Sequence, residues 1–139
     1  MTDRVLQLNK GAEKRIKQGH SWIYSNEIDV KATPLKSFSP GEQVCVKSHN
    51  GREMGSAFMS PSSLIAGRVI SRDAKQLMDQ SLLTHRLKIA MSLRDSAFEK
   101  PYYRLVFGDS DMLPGLVVDR FGDVLVVQIS SAGMEALKE

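Results

Sequence analysis

Residues 79–98 contain neither glycine nor proline, and they divide this chain into three parts. Apolar side chains recur there at intervals of three and four, the spacing of one helix face. Asp79 stands where an N-cap is expected, and Lys100-Pro101 follows where a helix should end. Such a helix would be roughly 28 Å long and predicts a linker between two β-rich segments. Its apolar positions are Leu82, Leu83, Leu87, Ala90, Met91, Leu93, Ala97 and Phe98.

The segment before this helix has the pattern of short strands with one small helix. Asn50-Gly51 lies between two β-prone stretches and is a strong hairpin signal. A charged stretch, residues 10–18, has helix-forming residues and is followed by Gly19 as a plausible C-terminal stop. Several short strands at this spacing predict a small β-barrel over residues 1–73. The predicted strands cover residues 5–8, 22–24, 44–47, 54–59 and 64–71.

The segment after the helix predicts three more strands and the start of another helix. The strands are expected over residues 103–107, 116–118 and 124–129, and the helix over residues 132–138. Three strands and a short helix cannot bury both faces of a sheet. We therefore expect residues 101–139 to be the truncated beginning of a larger α+β domain, with residues 74–100 as the linker helix.

Positive charge is concentrated near the start of the chain. The formal net charge is only +3, yet residues 4–20 carry five lysines and arginines against one carboxylate, Glu13. A single cysteine, Cys45, excludes an internal disulfide and fits a reducing compartment. The N-terminal residues have no signal-peptide pattern, and no stretch approaches the roughly 20 apolar residues of a membrane span. We expect a cytoplasmic protein with no membrane partner.

Four stretches together resemble one enzyme family. They are residues 10–15 (KGAEKR), 19–28 (GHSWIYSNEI), 60–69 (SPSSLIAGRV) and 103–123 (YRLVFGDSDMLPGLVVDRFGD). Their order is similar to that in the class I methyltransferases that modify carbon-5 of cytosine in large-subunit ribosomal RNA. The resemblance covers the whole chain, and its most specific part is residues 103–123. The sequence departs from the family pattern at Ser21, where proline is common, at Ser60, where asparagine is common, and at Met112, where glycine is usual.

The resemblance implies a fold and a division of labour. It predicts a PUA-like pseudo-barrel that binds ribosomal RNA, the linker helix, and the first strands of an incomplete central domain. In the family, S-adenosylmethionine and a cysteine nucleophile belong to a later Rossmann-like domain, which adds the methyl group after the cysteine attacks carbon-6. No glycine-rich strand–loop–helix signature occurs here, so no residue inherits a catalytic or cofactor-binding role. The chain alone is expected to be inactive and to hold no cofactor.

The candidate RNA-binding residues are basic or aromatic side chains near the first helix and the last barrel strand. Lysines and arginines would neutralise phosphates, although a charge run is also typical of a solvated helix face. Trp22 could stack on a base, but a lone tryptophan in a β-prone run is more often a core residue. Arg68 and Arg72 have even spacing and are expected on one face of a strand. The full set is Lys10, Lys14, Arg15, Lys17, His20, Trp22, Arg68 and Arg72.

Other reactive side chains have simpler interpretations. Cys45 lies between two valines with no evident base, so we expect a buried, inert thiol. His49 and His85 have no partner at ligand spacing and are expected at the surface, and no metal site is predicted. Four aspartates near residues 109–123 do not fit a calcium loop and are better explained by turns and caps. These are Asp109, Asp111, Asp119 and Asp123.

Two other functions fit the same sequence. One is a stand-alone PUA-type RNA-binding module with no enzyme attached. The other is an oligomerisation domain, because an apolar stripe on the helix over residues 79–98 could pair two copies into a homodimer. Salt-dependent RNA binding would separate the RNA-binding interpretations from the oligomerisation domain.

Overall fold

The first sheet has five short strands in an order that differs from their order along the chain. A computed structural model describes residues 4–138. The strands lie in the order β1-β3-β4-β5-β2, with β1 parallel to β3 and every other neighbouring pair antiparallel. They are β1 (Val5–Gln7), β2 (Trp22–Tyr24), β3 (Gln43–Lys47), β4 (Glu53–Met59) and β5 (Ile65–Ser71).

Backbone hydrogen bonds beyond the strands close this sheet into a pseudo-barrel. Leu8, just after β1, forms an isolated antiparallel bridge with Ile28, which follows β2 by one 3₁₀ turn. The N–H of Asn9 donates to the Glu27 carbonyl at 2.8 Å, and the N–H of Asp29 donates to the Gln7 carbonyl at 2.8 Å. The two edges of the sheet are therefore joined, which removes unpaired strand edges there. The predicted barrel fold is confirmed.

The first helix is shorter than the sequence predicted. The helix α1 covers Glu13–Lys17, whereas residues 10–18 were expected to be helical. Gly11 has φ +87°, which is outside the right-handed helical region, and Ala12 offers no side chain to cap the helix. Lys10 therefore lies in the preceding turn. At the other end Gly19 has φ +100° and acts as the predicted stop.

The predicted hairpin lies between β3 and β4. Gly51 has φ +85° in the connecting turn, and Cys45 pairs with Ser56 across the two strands. Glycine adopts this left-handed conformation without the steric cost that a side chain would add.

The long helix α2 covers Gln80–Ala97 and begins as predicted, with the Asp79 carboxylate accepting the Leu82 N–H at 2.8 Å. Only part of its apolar stripe is covered. Ala90 is buried, and Leu82, Leu83 and Leu87 pack partly against the neighbouring core. The remaining large apolar side chains of α2 and its C-cap are exposed: Ile89, Met91, Leu93 and Phe98.

The second sheet is a three-stranded antiparallel meander after α2. Its strands are β6 (Tyr102–Phe107), β7 (Leu116–Phe121) and β8 (Val124–Ile129), followed by a short helix α3 (Ala132–Ala136). All three predicted strands are found, and α3 ends earlier than the predicted residue 138. The edge strand β8 leaves Val124, Leu125, Val126 and Val127 45–60% exposed.

Two hydrophobic cores share one wall of the barrel. The first core fills the barrel interior, with Leu6, Ile23 and Val46 among its buried members. The second lies outside the barrel, where Phe58 of β4 and Ile70 of β5 pack with residues of α2, the second sheet and α3. Alternating side chains of β4 therefore serve different cores, which is why this strand is buried almost throughout.

The loop between β6 and β7 contains a strained residue. Met112 has φ 59°, the only positive φ of a non-glycine residue among residues 4–138. Its carbonyl accepts a hydrogen bond at 2.6 Å from Arg86, whose pKa is lowered by burial. The same loop is anchored by a bidentate contact from Arg94 to Asp111, at 2.8 and 2.9 Å. These contacts hold Met112 in a conformation that it would otherwise rarely adopt.

Replacing Met112 with glycine should stabilise the fold. The left-handed conformation costs a side-chain-bearing residue about 1–2 kcal/mol, partly offset by the greater unfolded-state entropy of glycine. Because the Met112 side chain is 54% exposed, little burial is lost. We expect Met112→Gly to raise the free energy of unfolding by up to about 1 kcal/mol in chemical denaturation. Met112→Ala, which shortens the side chain and keeps the strain, is the control and should show no such gain.

Cys45 should react slowly in the folded protein. It is buried in β3, and burial raises the pKa of its thiol, with a smaller contribution from Glu53. A raised pKa lowers the thiolate fraction at any given pH, and only the thiolate is nucleophilic. We expect a thiol reagent at pH 8 to label Cys45 at least roughly tenfold more slowly in the native state than in denaturant. Equal rates would contradict the buried position.

Candidate nucleic-acid interface

Three lysines near α1 are exposed to solvent. Lys14 and Lys17 lie on α1, and Lys10 lies in the turn before it. None of them forms a salt bridge with a carboxylate within residues 4–138. Exposed ammonium groups that no carboxylate neutralises can contact phosphates.

Arg15 has a different position from these lysines. Its guanidinium donates to the Glu27 carboxylate at 3.0 Å and lies 5.1 Å from the centre of the Tyr24 ring. Both contacts join α1 to the segment that closes the barrel. Arg15 was grouped with the lysines as an RNA contact, whereas its observed contacts are with the barrel itself.

Trp22 lies at the surface, so the interpretation of this residue as core was wrong. Its side chain is 39% exposed, while the next residue, Ile23, is buried in the barrel. Successive side chains of a strand point to opposite faces, so an inward Ile23 requires an outward Trp22. The alternation was visible in the sequence and could have predicted this position.

Two contacts hold the Trp22 ring in place. Its indole N–H donates to the Asp109 carboxylate at 2.6 Å, and the Arg68 guanidinium lies 5.6 Å from the ring centre. Arg68 is also the register partner of Trp22 across β5 and β2. A base that stacked on this ring would therefore meet a surface that Arg68 already covers in part.

Arg68 and Arg72 do not lie on one face of a strand, as the even spacing had suggested. β5 ends at Ser71, so Arg72 lies beyond it, where the backbone bends. Its guanidinium reaches back toward the first helix, close enough that a Cβ added at Gly19 would lie 3.2 Å from Nη2. The two arginines lie in different depressions, and Asp109 lines both of them.

The depression that contains Arg72 is a cleft of about 300 Å³ between the barrel and the second segment. We call it the junction cleft. His20 and Ser21 reach it from the connection between α1 and β2, and Ser71 and Arg72 from the end of β5. Asp109 and Met112 reach it from the loop after β6. Its apolar lining residues are Ile16, Val69, Ile70 and Met112, of which Met112 is the most exposed.

Asp109 is the carboxylate of the junction cleft. Oδ2 accepts the Trp22 indole N–H, while Oδ1 is covered and receives no hydrogen bond from the described residues. The sequence offered no signal for this role, because Trp22 and Asp109 are 87 residues apart.

Of the other three aspartates of this region, Asp111 and Asp119 form ion pairs that were not predicted. Turn and cap roles are also found, because Asp111 accepts the Phe107 N–H at 2.7 Å and Asp123 lies in a turn. Asp111 binds Arg94, and Asp119 binds Arg104 at 2.8 Å. Hydrogen bonding from Arg104 lowers the pKa of Asp119. Asp123 is exposed in the turn between β7 and β8. Within residues 4–138 no cluster of histidine, cysteine, aspartate or glutamate side chains could hold a metal ion, and His49 and His85 are exposed as predicted.

Most of this chain is similar in sequence to one part of known ribosomal RNA methyltransferases. The chain is 38% identical over 133 residues to ribosomal RNA large subunit methyltransferase I of Cronobacter sakazakii, and 38% identical over 136 residues to that of Salmonella arizonae. These alignments cover 94% of this chain but only 33% and 32% of the relatives. The chain thus spans about a third of the length of the curated relatives it matches.

Solved structures share the arrangement of both segments. A candidate methyltransferase in complex with SAH has a TM-score of 0.80 and 19% sequence identity, over 97% of this chain and 34% of that one. A candidate SAM-dependent methyltransferase from Streptococcus mutans has a TM-score of 0.72 over 97% of this chain and 35% of that one, also at 19% identity. At this level of identity the likeness shows the fold.

No helix in the described part of the chain is long and apolar enough to cross a lipid bilayer.

Residues 6–72 match the family model of the PUA-like domain, and they contain all five strands and the helix α1 of the pseudo-barrel. The first segment of this chain therefore has a PUA-like fold and matches the PUA-like family model.

Proposed function

We propose that this chain is the RNA-binding region of an S-adenosylmethionine-dependent ribosomal RNA methyltransferase that acts on carbon-5 of cytosine in the large subunit. The observation that carries the proposal is the exposed position of Lys14 and Lys17 on a PUA-like barrel, with no ion-pair partner among the described residues. The named relatives, which are large-subunit rRNA methyltransferases, support the type of RNA. The site of action is proposed to be the cytoplasm.

We assign a different role in RNA binding to each of the three parts of the chain. Residues 1–73 would bind the RNA backbone. Residues 74–100 would set the distance to the next domain, which residues 101–139 would begin. Holding a nucleotide in a defined position is itself a contribution to catalysis, because it replaces a bimolecular encounter. The eight candidate RNA-binding residues remain proposals, with the lysines and Arg72 as the best-placed cations.

The methyl donor does not fit the residues described here. Class I sites bind a nucleoside where a glycine-rich loop links a strand of a parallel sheet to a helix N-terminus. Within residues 4–138 the only parallel pair is β1 with β3. β1 leads to α1 through a loop with one glycine, Gly11, and β3 leads into the hairpin with β4, so neither strand is followed by a glycine-rich loop. We assign no residue of this chain to the cofactor and derive no step through it.

Self-association is the second candidate function. Val124, Leu125, Val126 and Val127 of β8 are exposed on both faces of an edge strand, and Leu93 of α2 is also exposed. Exposed apolar surface and open edges favour association. A concentration-dependent mass in sedimentation, unaffected by RNA, would favour this function and the homodimer proposed through residues 79–98.

Lys14 and Lys17 should govern the salt dependence of RNA binding. Each phosphate contact adds about one unit to the slope of log affinity against log salt. We expect the double variant Lys14→Ala, Lys17→Ala to lower that slope by about two units. We also expect it to weaken binding to a large-subunit rRNA fragment about tenfold. Filter binding across a salt series measures both quantities.

The matched control removes two exposed lysines of the linker, Lys88 on α2 and Lys100 after it. It makes the same change in net charge away from the barrel and should leave the slope nearly unchanged. If both double variants lose affinity equally, the binding reflects total charge and the α1 surface has been wrongly assigned.

The chain alone should neither bind nor use the methyl donor. Calorimetric titration with S-adenosylmethionine is expected to show no saturable heat, and incubation with rRNA fragments no methyl transfer. Stoichiometric binding would overturn the assignment of the cofactor to another part of a longer protein.

A further inference from the structure

The junction cleft combines three kinds of surface that a nucleotide needs. Arg72 and His20 supply cationic or hydrogen-bonding groups at one side, and Asp109 supplies a carboxylate at the other. Val69 and Met112 add apolar surface against which a flat base could pack. Small-ligand sites begin at about 300 Å³, which is the volume of this cleft.

Asp109 is held in one orientation by the Trp22 indole N–H, which donates to Oδ2 at 2.6 Å. An ionised carboxylate has about four acceptor positions and no donor. The bond from Trp22 uses one of them, and Oδ1 receives no hydrogen bond from the described residues. Because an unpaired buried acceptor is costly, a ligand that brings N–H donors to Asp109 gains affinity.

A ligand can reach Oδ1 only if side chains that line the cleft shift. Oδ1 is covered in the free protein, and Met112 lines the same cleft with its side chain 54% exposed. A methionine side chain is unbranched and adapts easily to a new neighbour. It can therefore move aside when a base enters and then pack against that base.

We propose that the junction cleft binds one unpaired guanosine of the RNA, with Asp109 accepting hydrogen bonds from N1–H and the N2 amino group and Arg72 contacting the phosphate. The inference rests on the proposed RNA-binding function and adds a base preference to it. It also gives a binding role to a residue outside the PUA-like domain.

The choice of guanine follows from hydrogen-bond geometry. Proteins read unpaired bases of RNA on their exposed edges. Guanine is the one RNA base whose Watson–Crick edge carries two adjacent donors. The amino groups of adenine and cytosine lie beside a ring nitrogen acceptor, and the N3–H of uracil lies between two carbonyls. A carboxylate repels each of those acceptors, so it favours guanine.

The test compares short single-stranded oligonucleotides that differ at one base. A uridine pentamer with guanosine at its centre is titrated against the intact chain by fluorescence anisotropy, beside pentamers with inosine or adenosine there. Inosine lacks only the N2 amino group. We expect guanosine to bind roughly tenfold more tightly than either, since hydrogen bonds to charged acceptors are among the stronger ones.

The variant Asp109→Asn tests whether the preference for guanosine arises in the junction cleft. The asparagine carbonyl can still accept the Trp22 N–H, but the amide replaces the other acceptor with a donor. We expect this variant to lose the preference for guanosine while the salt slope of binding stays unchanged. Asp123→Asn makes the same chemical change in the exposed β7–β8 turn and should retain the preference.

The outcomes separate this inference from the proposed function. Salt-dependent binding that depends on Lys14 and Lys17, with equal affinity for guanosine, inosine and adenosine, overturns the inference alone. A preference that survives Asp109→Asn also overturns it. Absence of RNA binding at every salt concentration overturns both. If Asp109→Asn fails to fold, by circular dichroism, the comparison of guanosine with inosine on the unmodified chain still decides.

Discussion

The barrel wall formed by β4 and β5 is buried on both sides, and the rest of the structure depends on this. Phe58 and Ile70 point outward into the second core, while their neighbours point inward. Gly133 of α3 lies so close to the Phe58 ring that a Cβ there would be 2.1 Å from it. Burying one large apolar side chain contributes about 1.5–3 kcal/mol. This contact therefore fixes where the second segment lies on the barrel, and so creates the junction cleft.

Polar contacts then set the geometry at the rim of that junction. Trp22 of the barrel binds Asp109 of the second segment, and Arg86 of α2 binds the carbonyl of Met112. Arg86 is buried, and its guanidinium donates a hydrogen bond to the Met112 carbonyl. This bond helps to maintain the strained φ of Met112. Apolar packing brings the two segments together, and these few directional bonds decide which side chains face the cleft.

Local sequence signals predicted most elements but not the contacts between them. The Asn50-Gly51 hairpin and the Asp79 cap each depend on neighbouring residues, and each was found. The first helix was overestimated because Gly11 leaves the helical region just before it. Trp22 was misjudged as core because the alternation with the buried Ile23 was not applied, whereas its contact with Asp109, 87 residues away, had no local signal. Arg72 was misplaced because the even spacing was extended past Ser71, although the predicted strand, residues 64–71, already ended there, as β5 does.

The two segments contribute different components of the proposed recognition. The lysines of α1 lie on the barrel and would attract any nucleic acid backbone, because phosphates carry no sequence information. The carboxylate that can distinguish one base from another comes from the loop after β6, outside the PUA-like match. The proposed selectivity therefore requires the barrel and the second segment to be packed together, since residues from both line the cleft. A barrel of this kind without the second segment would keep its electrostatic affinity and lose its means of choosing a base.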